Sequence, residues 1–402
     1  MKYVVILGDG MADYPVEELQ GKTPLEVAAK PNMDLLAQKG EVGLVKTIPD
    51  GMTAGSDTAN LSVMGYAPEK YYSGRSPLEA ASIGVALNPE DVTYRCNFVT
   101  LSDTEHYEDA TMLDYSAGEI STEEARELIE ALSGYFQIPD VEFYAGVSYR
   151  HCLVLRHADT GTQLTPPHDI SLKPIAGHLP QNGNSDLLYR IMKESRSLLE
   201  DHPVNKKRIA EGKNPANSVW FWGEGRKPAL PLFKTMHGLN AAVISAVDLI
   251  KGIAKCAEMQ SIDVPGATGN VDTNFAGKAQ AAVDALKNGA DFVYVHMEAP
   301  DECGHRHEVD HKILAIEKID SDVVGKIIKE LQGEDYSMLI LPDHPTPLCT
   351  RTHAADPVPY ILYRSNADCA SGVQSYTEKE AEKTGVFVSS GPELLKKFLQ
   401  EL

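Results

Sequence analysis

Short, unbroken runs of apolar residues recur along this chain of 402 residues. The first run is KYVVILG at residues 2–8, and two later runs are DFVYVHM at 291–297 and YSMLILP at 336–342. Runs without polar alternation are typical of parallel strands that are buried on both faces of a sheet. A further run, PVPYILYR at 357–364, predicts another strand.

Longer segments with helical character lie between these runs. Residues 311–333 place apolar side chains at a period close to 3.6, which predicts an amphipathic helix. Residues 273–290 are predicted to form a helix that ends at Gly289. Residues 240–257 and 391–402 are also predicted to be helical.

Strands that alternate with helices predict an α/β fold with a mainly parallel sheet and helices on both faces. Residues 73–237 lack this alternation and mix strand-like runs, isolated helices and loops rich in Pro, Asn and Gly. We therefore predict an α/β domain formed by residues 1–72 and 238–402, with a smaller α+β domain inserted at 73–237.

Composition narrows the classes of function. A formal net charge of −21 argues against nucleic-acid binding, which needs a basic surface. An anionic substrate could bind only where metal ions and clustered Arg and Lys reverse the local charge. No run is long enough to span a membrane, and the six cysteines contain no C-x-x-C pair, so we expect a cytoplasmic protein with reduced thiols.

Potential metal ligands follow the predicted strands. Because ligands of α/β sheets bind beyond the carboxyl ends of the strands, these residues are expected to meet at one edge. Carboxylates and imidazoles in this number suit two divalent cations better than one. The candidates are Asp9, Asp301, His305, Asp343, His344 and His353.

Each candidate also has a purely structural interpretation. Asp9 could form a turn, Asp343 could cap a loop, and His353 could lie on a loop surface. His307 and His311 compete with His305 for a role as ligand.

Ser56, in the segment GSDTANL, is the candidate nucleophile. It could be a helix N-cap, an interpretation that is compatible with function because a helix amino terminus stabilises a phosphoryl group. A metal ion bound to this hydroxyl would lower its pKa and generate an alkoxide.

The order of these residues resembles the alkaline phosphatase superfamily and, more narrowly, the archaeal type of 2,3-bisphosphoglycerate-independent phosphoglycerate mutase. The resemblance extends over nearly the whole chain. It rests on the segments GDGMAD, GSDTANLSVMGY, SGRSPLEAASIG, PGATG, EAPDECGH, AIEKID, PDHPTP and THAADPVPYIL.

This resemblance implies a phosphoserine at Ser56 and two divalent ions, manganese, zinc or magnesium, without 2,3-bisphosphoglycerate as cofactor. It implies that one ion is held by Asp301, His305 and His353. It implies that the other is held by Asp9, Asp343, His344 and the Ser56 oxygen. Asp114 would be the acid/base for the glycerate hydroxyls, although the segment MLDYSAGEIS lacks the basic residues of its relatives.

A mutase must also retain the dephosphorylated glycerate, and cations suit its carboxylate. Exposed arginines are common, so each candidate could equally be a surface residue. The candidates are Arg75, Arg95, Arg150, Arg226 and Lys251, with Arg150 favoured.

The resulting hypothesis is the interconversion of 3-phosphoglycerate and 2-phosphoglycerate, with a small phosphorylated substrate as the binding partner. The oligomeric state is left open. Three alternatives remain: a metal-dependent phosphatase or phosphodiesterase, a mutase of another small phosphate or phosphonate, and a non-catalytic metal-binding protein.

Overall fold

A computed structural model describes residues 1–367, 369 and 371–400. The chain divides into two compact units. Unit 1 consists of Met1–Tyr72 and Leu230–Leu402, and unit 2 consists of Ser73–Ala229. The second boundary lies before 237, the predicted end of the insertion, because the helix at Phe233–His237 packs in unit 1, with Phe233 against Phe292 at 4.8 Å between ring centroids.

The strands in chain order are β1 (Lys2–Gly8), β2 (Glu41–Val45), β3 (Val92–Leu101), β4 (Met112–Asp114), β5 (Val141–Val147), β6 (Arg150–Leu155), β7 (Ser218–Arg226), β8 (Ala241–Ile244), β9 (Gln260–Ile262), β10 (Phe292–Met297), β11 (Tyr336–Leu341), β12 (Val358–Arg364) and β13 (Phe387–Val388).

The α-helices in chain order are α1 (Pro24–Val27), α2 (Pro31–Lys39), α3 (Ser56–Val63), α4 (Pro68–Tyr71), α5 (Ser76–Ser82), α6 (Thr122–Tyr135), α7 (Ser185–Glu200), α8 (Pro203–Ala210), α9 (Phe233–His237), α10 (Asp248–Cys256), α11 (Phe275–Lys287), α12 (Ala299–Arg306), α13 (Val309–Lys318), α14 (Gly325–Glu330), α15 (Glu378–Lys383) and α16 (Gly391–Leu399). A π-helical segment, Ile319–Val324, joins α13 to α14. Within the described residues, no helix is long and apolar enough to cross a membrane.

The sheet of unit 1 has eight strands in the order β13-β2-β12-β11-β1-β10-β8-β9. Every pairing is parallel except those of β12, which runs antiparallel to both β11 and β2. The central strands β10 and β11 are buried along their whole length, which confirms the predicted α/β fold with a mainly parallel sheet covered on both faces.

The direction of β12 explains where the candidate ligands fall in the sequence. The parallel strands β1, β10 and β11 end at one edge of the sheet, so the residues that follow each strand meet there. Because β12 runs the opposite way, the residues that precede it reach this same edge. His353 therefore stands before a strand, whereas Asp9 and Asp343 stand after strands.

The prediction that residues 240–257 form one helix is wrong in its first part. Residues Ala241–Ile244 form β8, and the helix α10 begins only at Asp248. A short run of Ala, Val and Ile fits a buried strand and a buried helix equally well, and pairing with β10 decides for the strand. The predicted helix at 391–402 is observed over Gly391–Leu399, and its residues 401 and 402 lie outside the described residues.

Unit 2 contains a five-stranded antiparallel sheet with the path β4-β3-β6-β5, and β7 pairs with β3. The helices α6 and α7 pack on this sheet and share its apolar core. Residues 141–156, which read as one strand-like run, form the β5–β6 hairpin.

The first turn of α2 is capped from a distant part of the chain. The N-cap residue, Lys30, makes no side-chain hydrogen bond to the helix. Asp320, in the π-helical segment, instead accepts hydrogen bonds from the Met33 N–H at 2.7 Å and the Asn32 N–H at 3.2 Å. The Asn32 side chain also donates to it, at 2.8 Å. Asp320 thus links α2 to the π-helical segment Ile319–Val324.

We expect Asp320→Ala to lower the stability of unit 1 by about 1–3 kcal/mol, because buried amide groups lose their acceptor. Both tryptophans, Trp220 and Trp222, lie in unit 2, so indole fluorescence would not report this change. Calorimetry and amide hydrogen exchange of α2 would measure it. Asp322→Ala is the matched control, because Asp322 makes a surface ion pair with Lys318 and accepts a hydrogen bond from the exposed Ser321 hydroxyl, and it caps no helix. An equal loss in both variants would contradict the capping role.

Candidate metal centre

Six predicted ligands meet at the carboxyl edge of the unit 1 sheet. The structure forms two groups of potential ligand atoms, each with all atoms within 4.8 Å of one another. The first group is Asp301, His305 and His353, and the second is Asp9, Asp301 and His344. Asp301 belongs to both groups, so the two groups are neighbours.

In the first group, Asp301 and His305 lie on one face of α12, four residues apart. Asp301 Oδ2 lies 3.2 Å from His305 Nε2, and Asp301 Oδ1 lies 3.4 Å from His353 Nε2. The two imidazole Nε2 atoms face each other at 3.0 Å. Two ring nitrogens that converge on one carboxylate form the arrangement expected of ligands around a cation.

The hydrogen bond of His305 Nδ1 determines the protonation of His305 Nε2. His305 Nδ1 donates to the Arg351 carbonyl oxygen at 2.9 Å, so Nε2 carries the lone pair in the neutral ring. That lone pair faces Asp301, an unfavourable contact unless a proton or a metal ion intervenes. Consistently, hydrogen bonding to Asp301 raises the pKa of His305 to about 9.

In the second group, His344 Nε2 is surrounded by oxygens. It lies 3.2 Å from Ser56 Oγ, 3.4 Å from Asp343 Oδ2 and 3.5 Å from Asp9 Oδ1. His344 Nδ1 lies 3.2 Å from Thr346 Oγ1, and that hydroxyl donates to Asp301 Oδ1. Nδ1 therefore donates to Thr346, and the Nε2 lone pair faces the oxygens, as a metal ligand requires.

Asp9 is almost fully buried, and Oδ1 accepts no hydrogen bond within the part of the chain that the structure describes. Burial raises the pKa of Asp9 well above its usual range, and the nearby charges of Asp343, Asp301 and Glu298 raise it further. For Asp301, burial acts in the same direction, but hydrogen bonds from His305 and His353 outweigh it and lower the pKa. The centre holds more negative charge than its protein donors compensate, so divalent cations fit it.

Two glycines allow the ligand loops to approach each other. Gly10 has a φ of +59°, and a Cβ there would lie 2.7 Å from Asp301 Cα. Gly304, inside α12, packs against the loop after β11, where a Cβ would lie 2.4 Å from the Thr346 carbonyl oxygen. The role of Gly304 is this close packing.

Ser56 is the first residue of α3, directly after Gly55, so its hydroxyl lies at the helix amino terminus. Asn60, one turn later, donates to Asp343 Oδ2 at 2.8 Å and to the Ser56 carbonyl at 2.9 Å. Tyr294 in turn donates to Asn60 Oδ1 at 2.6 Å. These buried contacts fix Ser56 relative to the loop that carries Asp343 and His344.

The competing histidines lie outside the centre. His307 pairs with the Leu348 carbonyl at 2.7 Å and lies 3.4 Å from Glu18. His311 pairs with Glu308 on the surface. Of the three histidines that follow Asp301 within ten residues, only His305 approaches the other ligands.

Sequence reasoning missed three residues of the centre. Thr346 and Asn60 orient ligands as described above, and His296 Nε2 lies 2.9 Å from Asp9 Oδ2. Burial lowers the pKa of His296 to about 3, with a contribution from the charge of Lys278. A histidine within an otherwise apolar buried strand, and an Asn one helical turn after Ser56, were the available signals.

Unit 2 holds a separate cluster of cations. Arg75 Nε and Arg95 Nε each lie 2.8 Å from a different oxygen of Glu79. Arg95 stacks on Trp222, with its guanidinium carbon 4.0 Å from the ring centroid. Burial lowers the pKa of Arg95 to about 10, and the positive charges of Arg75 and Arg150 act in the same direction.

Arg150 is exposed and lies over the Tyr149 ring at 4.7 Å. The structure thus brings three of the predicted substrate-binding residues close enough to interact electrostatically. One carboxylate, Glu79, lies between Arg75 and Arg95, so three positive charges share a single bridging negative charge.

The remaining predicted residues have other contacts. Arg226 donates to the Ala158 carbonyl at 2.6 Å and lies 3.7 Å from Asp159. Lys251 belongs to unit 1, on α10, and pairs with Asp263 at 2.6 Å.

The predicted acid/base role of Asp114 is not supported by its surroundings. Ser116 donates to one carboxylate oxygen through its N–H and hydroxyl, and Gly118 and Asn214 donate to the other, at 2.7–2.8 Å. Burial acts to raise the pKa of Asp114, but these hydrogen bonds outweigh it and lower the pKa. Asp114 therefore organises a turn, and its acid/base role stays a prediction.

The chain is similar to known proteins along nearly its whole length. A family model described as 2,3-bisphosphoglycerate-independent phosphoglycerate mutase matches residues 37–205. A protein of that name from Methanothrix thermoacetophila is 50% identical over 98% of this chain and 99% of its own length. The enzyme of the same name from Methanosarcina barkeri is 49% identical over 98% of both chains.

Solved structures give the same result for the fold. A protein from Pyrococcus horikoshii is 30% identical, with a TM-score of 0.83 over 100% of this chain and 98% of its own. The cofactor-independent phosphoglycerate mutase from Thermoplasma acidophilum is 26% identical, with a TM-score of 0.65 over 100% of both chains.

The raised pKa of His305 predicts a proton effect on metal binding. In the metal-free protein, the pair of protonated His305 and Asp301 contributes fully to stability below pH 6.5, the ordinary pKa of histidine. This contribution is lost as the pH rises through about 9, the pKa of His305 in the folded protein. Near pH 7.5, Mn²⁺ should therefore release about one proton from His305, and this part of the proton release should disappear as the pH rises well past 9.

Calorimetry in two buffers of different ionisation enthalpy measures this release. His305→Asn should abolish the pH-dependent part, and His311→Asn, on the adjacent helix α13, is the matched control that should retain it. Proton release that is equal in both variants would contradict the assignment.

Proposed function

The chain belongs to the 2,3-bisphosphoglycerate-independent phosphoglycerate mutase family, and on this premise we propose that it interconverts 3-phosphoglycerate and 2-phosphoglycerate through a phosphoserine at Ser56. The observation that carries the proposal is the position of Ser56 Oγ. It lies at a helix amino terminus and 3.2 Å from His344 Nε2, beside two overlapping groups of ligand atoms.

Asp301, His305 and His353 would hold one divalent ion. Asp9, Asp343, His344 and the Ser56 oxygen would hold the other, with Asp301 near both. When bound, such ions supply positive charge that lowers the pKa of the Ser56 hydroxyl and neutralises the oxygens of the phosphoryl group.

Ser56 attacks the phosphorus atom of the substrate. The bond from phosphorus to the glycerate oxygen breaks as the bond to Ser56 Oγ forms, and the serine proton ends on the glycerate hydroxyl. The second half-reaction reverses these events with the other glycerate hydroxyl as the nucleophile. The phosphoryl group comes from the substrate and returns to it, so no 2,3-bisphosphoglycerate is needed.

The helix α3 supports this step in two ways. Its first N–H groups and its dipole favour the negative charge of the phosphoryl group at Ser56. Asn60 holds the Ser56 carbonyl and the Asp343 carboxylate together, so the nucleophile keeps its position relative to the ligands.

Retention of the glycerate distinguishes a mutase from a hydrolase. Arg75, Arg95 and Arg150 would bind the anionic groups of the substrate, because guanidinium groups pair with carboxylate and phosphate oxygens in a fixed geometry. Glu79 and Trp222 hold Arg95 in place before the substrate arrives, which lowers the entropic cost of binding.

Ser56→Ala should abolish mutase activity, because no covalent intermediate can form. A coupled enolase assay without 2,3-bisphosphoglycerate measures the activity, with chelator and with added Mn²⁺. The matched control is Ser62→Ala on the same helix, whose hydroxyl accepts a hydrogen bond from the Gly391 N–H and has no role in the reaction.

The fold and Mn²⁺ binding of the Ser56 variant should be retained. Isomerisation by Ser56→Ala at the normal rate would disprove the covalent route. Release of inorganic phosphate in place of isomerisation by the unaltered protein would show that it is a phosphatase.

Arg150→Met should lower kcat/KM for 3-phosphoglycerate about 10- to 100-fold, the range expected for the loss of a charge-assisted hydrogen bond. Steady-state kinetics with saturating Mn²⁺ provide the measurement. Arg226→Met is the control, because the Arg226 side chain is already engaged by Ala158 and Asp159. Equal losses in both variants would argue for a general charge effect.

A further inference from the structure

His296 lies near the carboxyl end of β10 and is fully buried, yet both of its ring nitrogens have polar partners. His296 Nε2 lies 2.9 Å from Asp9 Oδ2, and Nδ1 lies 3.2 Å from Ser245 Oγ. Ser245 follows β8, the strand beside β10, so two neighbouring strands contribute to one linear arrangement that ends on Asp9.

The hydrogen-bond directions in this arrangement follow from its ends. An ionised Asp9 carboxylate can only accept, so His296 Nε2 carries the hydrogen. In the neutral ring, Nδ1 then accepts the hydroxyl hydrogen of Ser245. The Ser245 oxygen remains free to accept, and it does so from the Val247 N–H at 3.0 Å. A single tautomer of His296 thus accounts for every hydrogen bond in the series from the Val247 N–H to Asp9 Oδ2.

This series holds one oxygen of Asp9 and leaves the other available. Oδ2 is the acceptor for His296, whereas Oδ1 is turned towards His344 Nε2, at 3.5 Å. The backbone at this point is fixed as well, since the Asp9 N–H donates to the Met297 carbonyl at 2.9 Å. Rotation of the Asp9 carboxylate would break the His296 hydrogen bond.

A buried histidine does not by itself produce such an arrangement. His151, on β6 of unit 2, is also buried in a strand. Its Nδ1 accepts a hydrogen bond from the Gly146 N–H at 3.1 Å, and its Nε2 has no hydrogen-bond partner among the described residues. His151 therefore satisfies one backbone group, whereas His296 links two side chains.

We propose that Ser245 and His296 form a positioning pair that orients the Asp9 carboxylate, so that Oδ1 is presented to a divalent cation. This inference rests on the proposed function, in which Asp9 is a ligand. The proposal predicts a selective effect when the pair is lost. The affinity for the ion that Asp9 holds should fall, and the affinity for the ion held by Asp301, His305 and His353 should not change.

The test is Mn²⁺ binding by the full chain after treatment with chelator, followed by calorimetry. His296→Met removes the donor with little change in volume. It should lower the affinity for one of the two Mn²⁺ ions about 10- to 100-fold, the usual effect of losing a hydrogen-bond partner of a metal ligand. His296→Gln keeps an N–H donor, and its Mn²⁺ affinity should lie within a few-fold of that of the unaltered protein. His151→Met is the matched control and should bind both ions normally.

Activity gives a second readout. Raising the Mn²⁺ concentration about 100-fold should restore the mutase activity of His296→Met, because the ligand is disoriented and not removed. A lower maximal rate that excess Mn²⁺ does not restore would point to a purely structural or catalytic role and would overturn the inference.

The remaining outcomes are distinguishable. Normal binding of both ions by His296→Met overturns the positioning role and leaves the proposed function intact. Failure of the unaltered protein to bind two Mn²⁺ ions overturns both. If His296→Met does not fold, Ser245→Ala should show weaker binding of the same ion, and ¹⁵N NMR of the unaltered protein should show the hydrogen on Nε2. A hydrogen on Nδ1 alone would overturn the inference.

Discussion

Repulsion among buried carboxylates at one edge of the sheet is the constraint on which unit 1 depends. Asp9, Asp301 and Asp343 follow three adjacent strands and cannot be separated without breaking the sheet. Two like charges about 4–5 Å apart repel by roughly 3–4 kcal/mol at an effective dielectric constant near 20. The surrounding donors reduce this repulsion, and the converging imidazole lone pairs indicate where positive charge completes the compensation.

The loops that carry these carboxylates are therefore fixed by strong buried contacts. Lys312, fully buried on α13, donates to Asp13 at 2.7 Å and to the Thr346 carbonyl at 2.8 Å. It thereby joins the loop after β1 to the loop after β11. The Leu348 N–H donates to Asp13 at 3.2 Å, which adds a second link between the same loops. Thr346 also contacts Asp301 and His344. The Lys312–Asp13 ion pair therefore stabilises the positions of these two ligands through Thr346.

Sequence reasoning predicted the elements whose signal is local. Unbroken apolar runs predicted β1, β10 and β11, and the order of Asp and His residues predicted which side chains meet at the sheet edge. It failed at Ala241–Ile244, where sheet pairing decides between strand and helix. It also did not foresee the hydrogen bonds that lower the pKa of Asp114, three from its own turn and one from the distant Asn214. His296 was missed because its role depends on Ser245 and Asp9, which are distant in the chain.

Unit 2 gathers positive charges at one place, as unit 1 gathers negative charges at the edge of its sheet. The chain carries a net charge of −21, so an anion is repelled at long range, and only a local excess of positive charge can hold it. Glu79 bridges the Nε atoms of Arg75 and Arg95, which orders the arginines without neutralising the cluster that includes Arg150. A hydrolase can release its alcohol after the first transfer, whereas a mutase must hold it until the second. In the proposed function, the excess positive charge of unit 2 serves to retain the anionic glycerate until the second transfer.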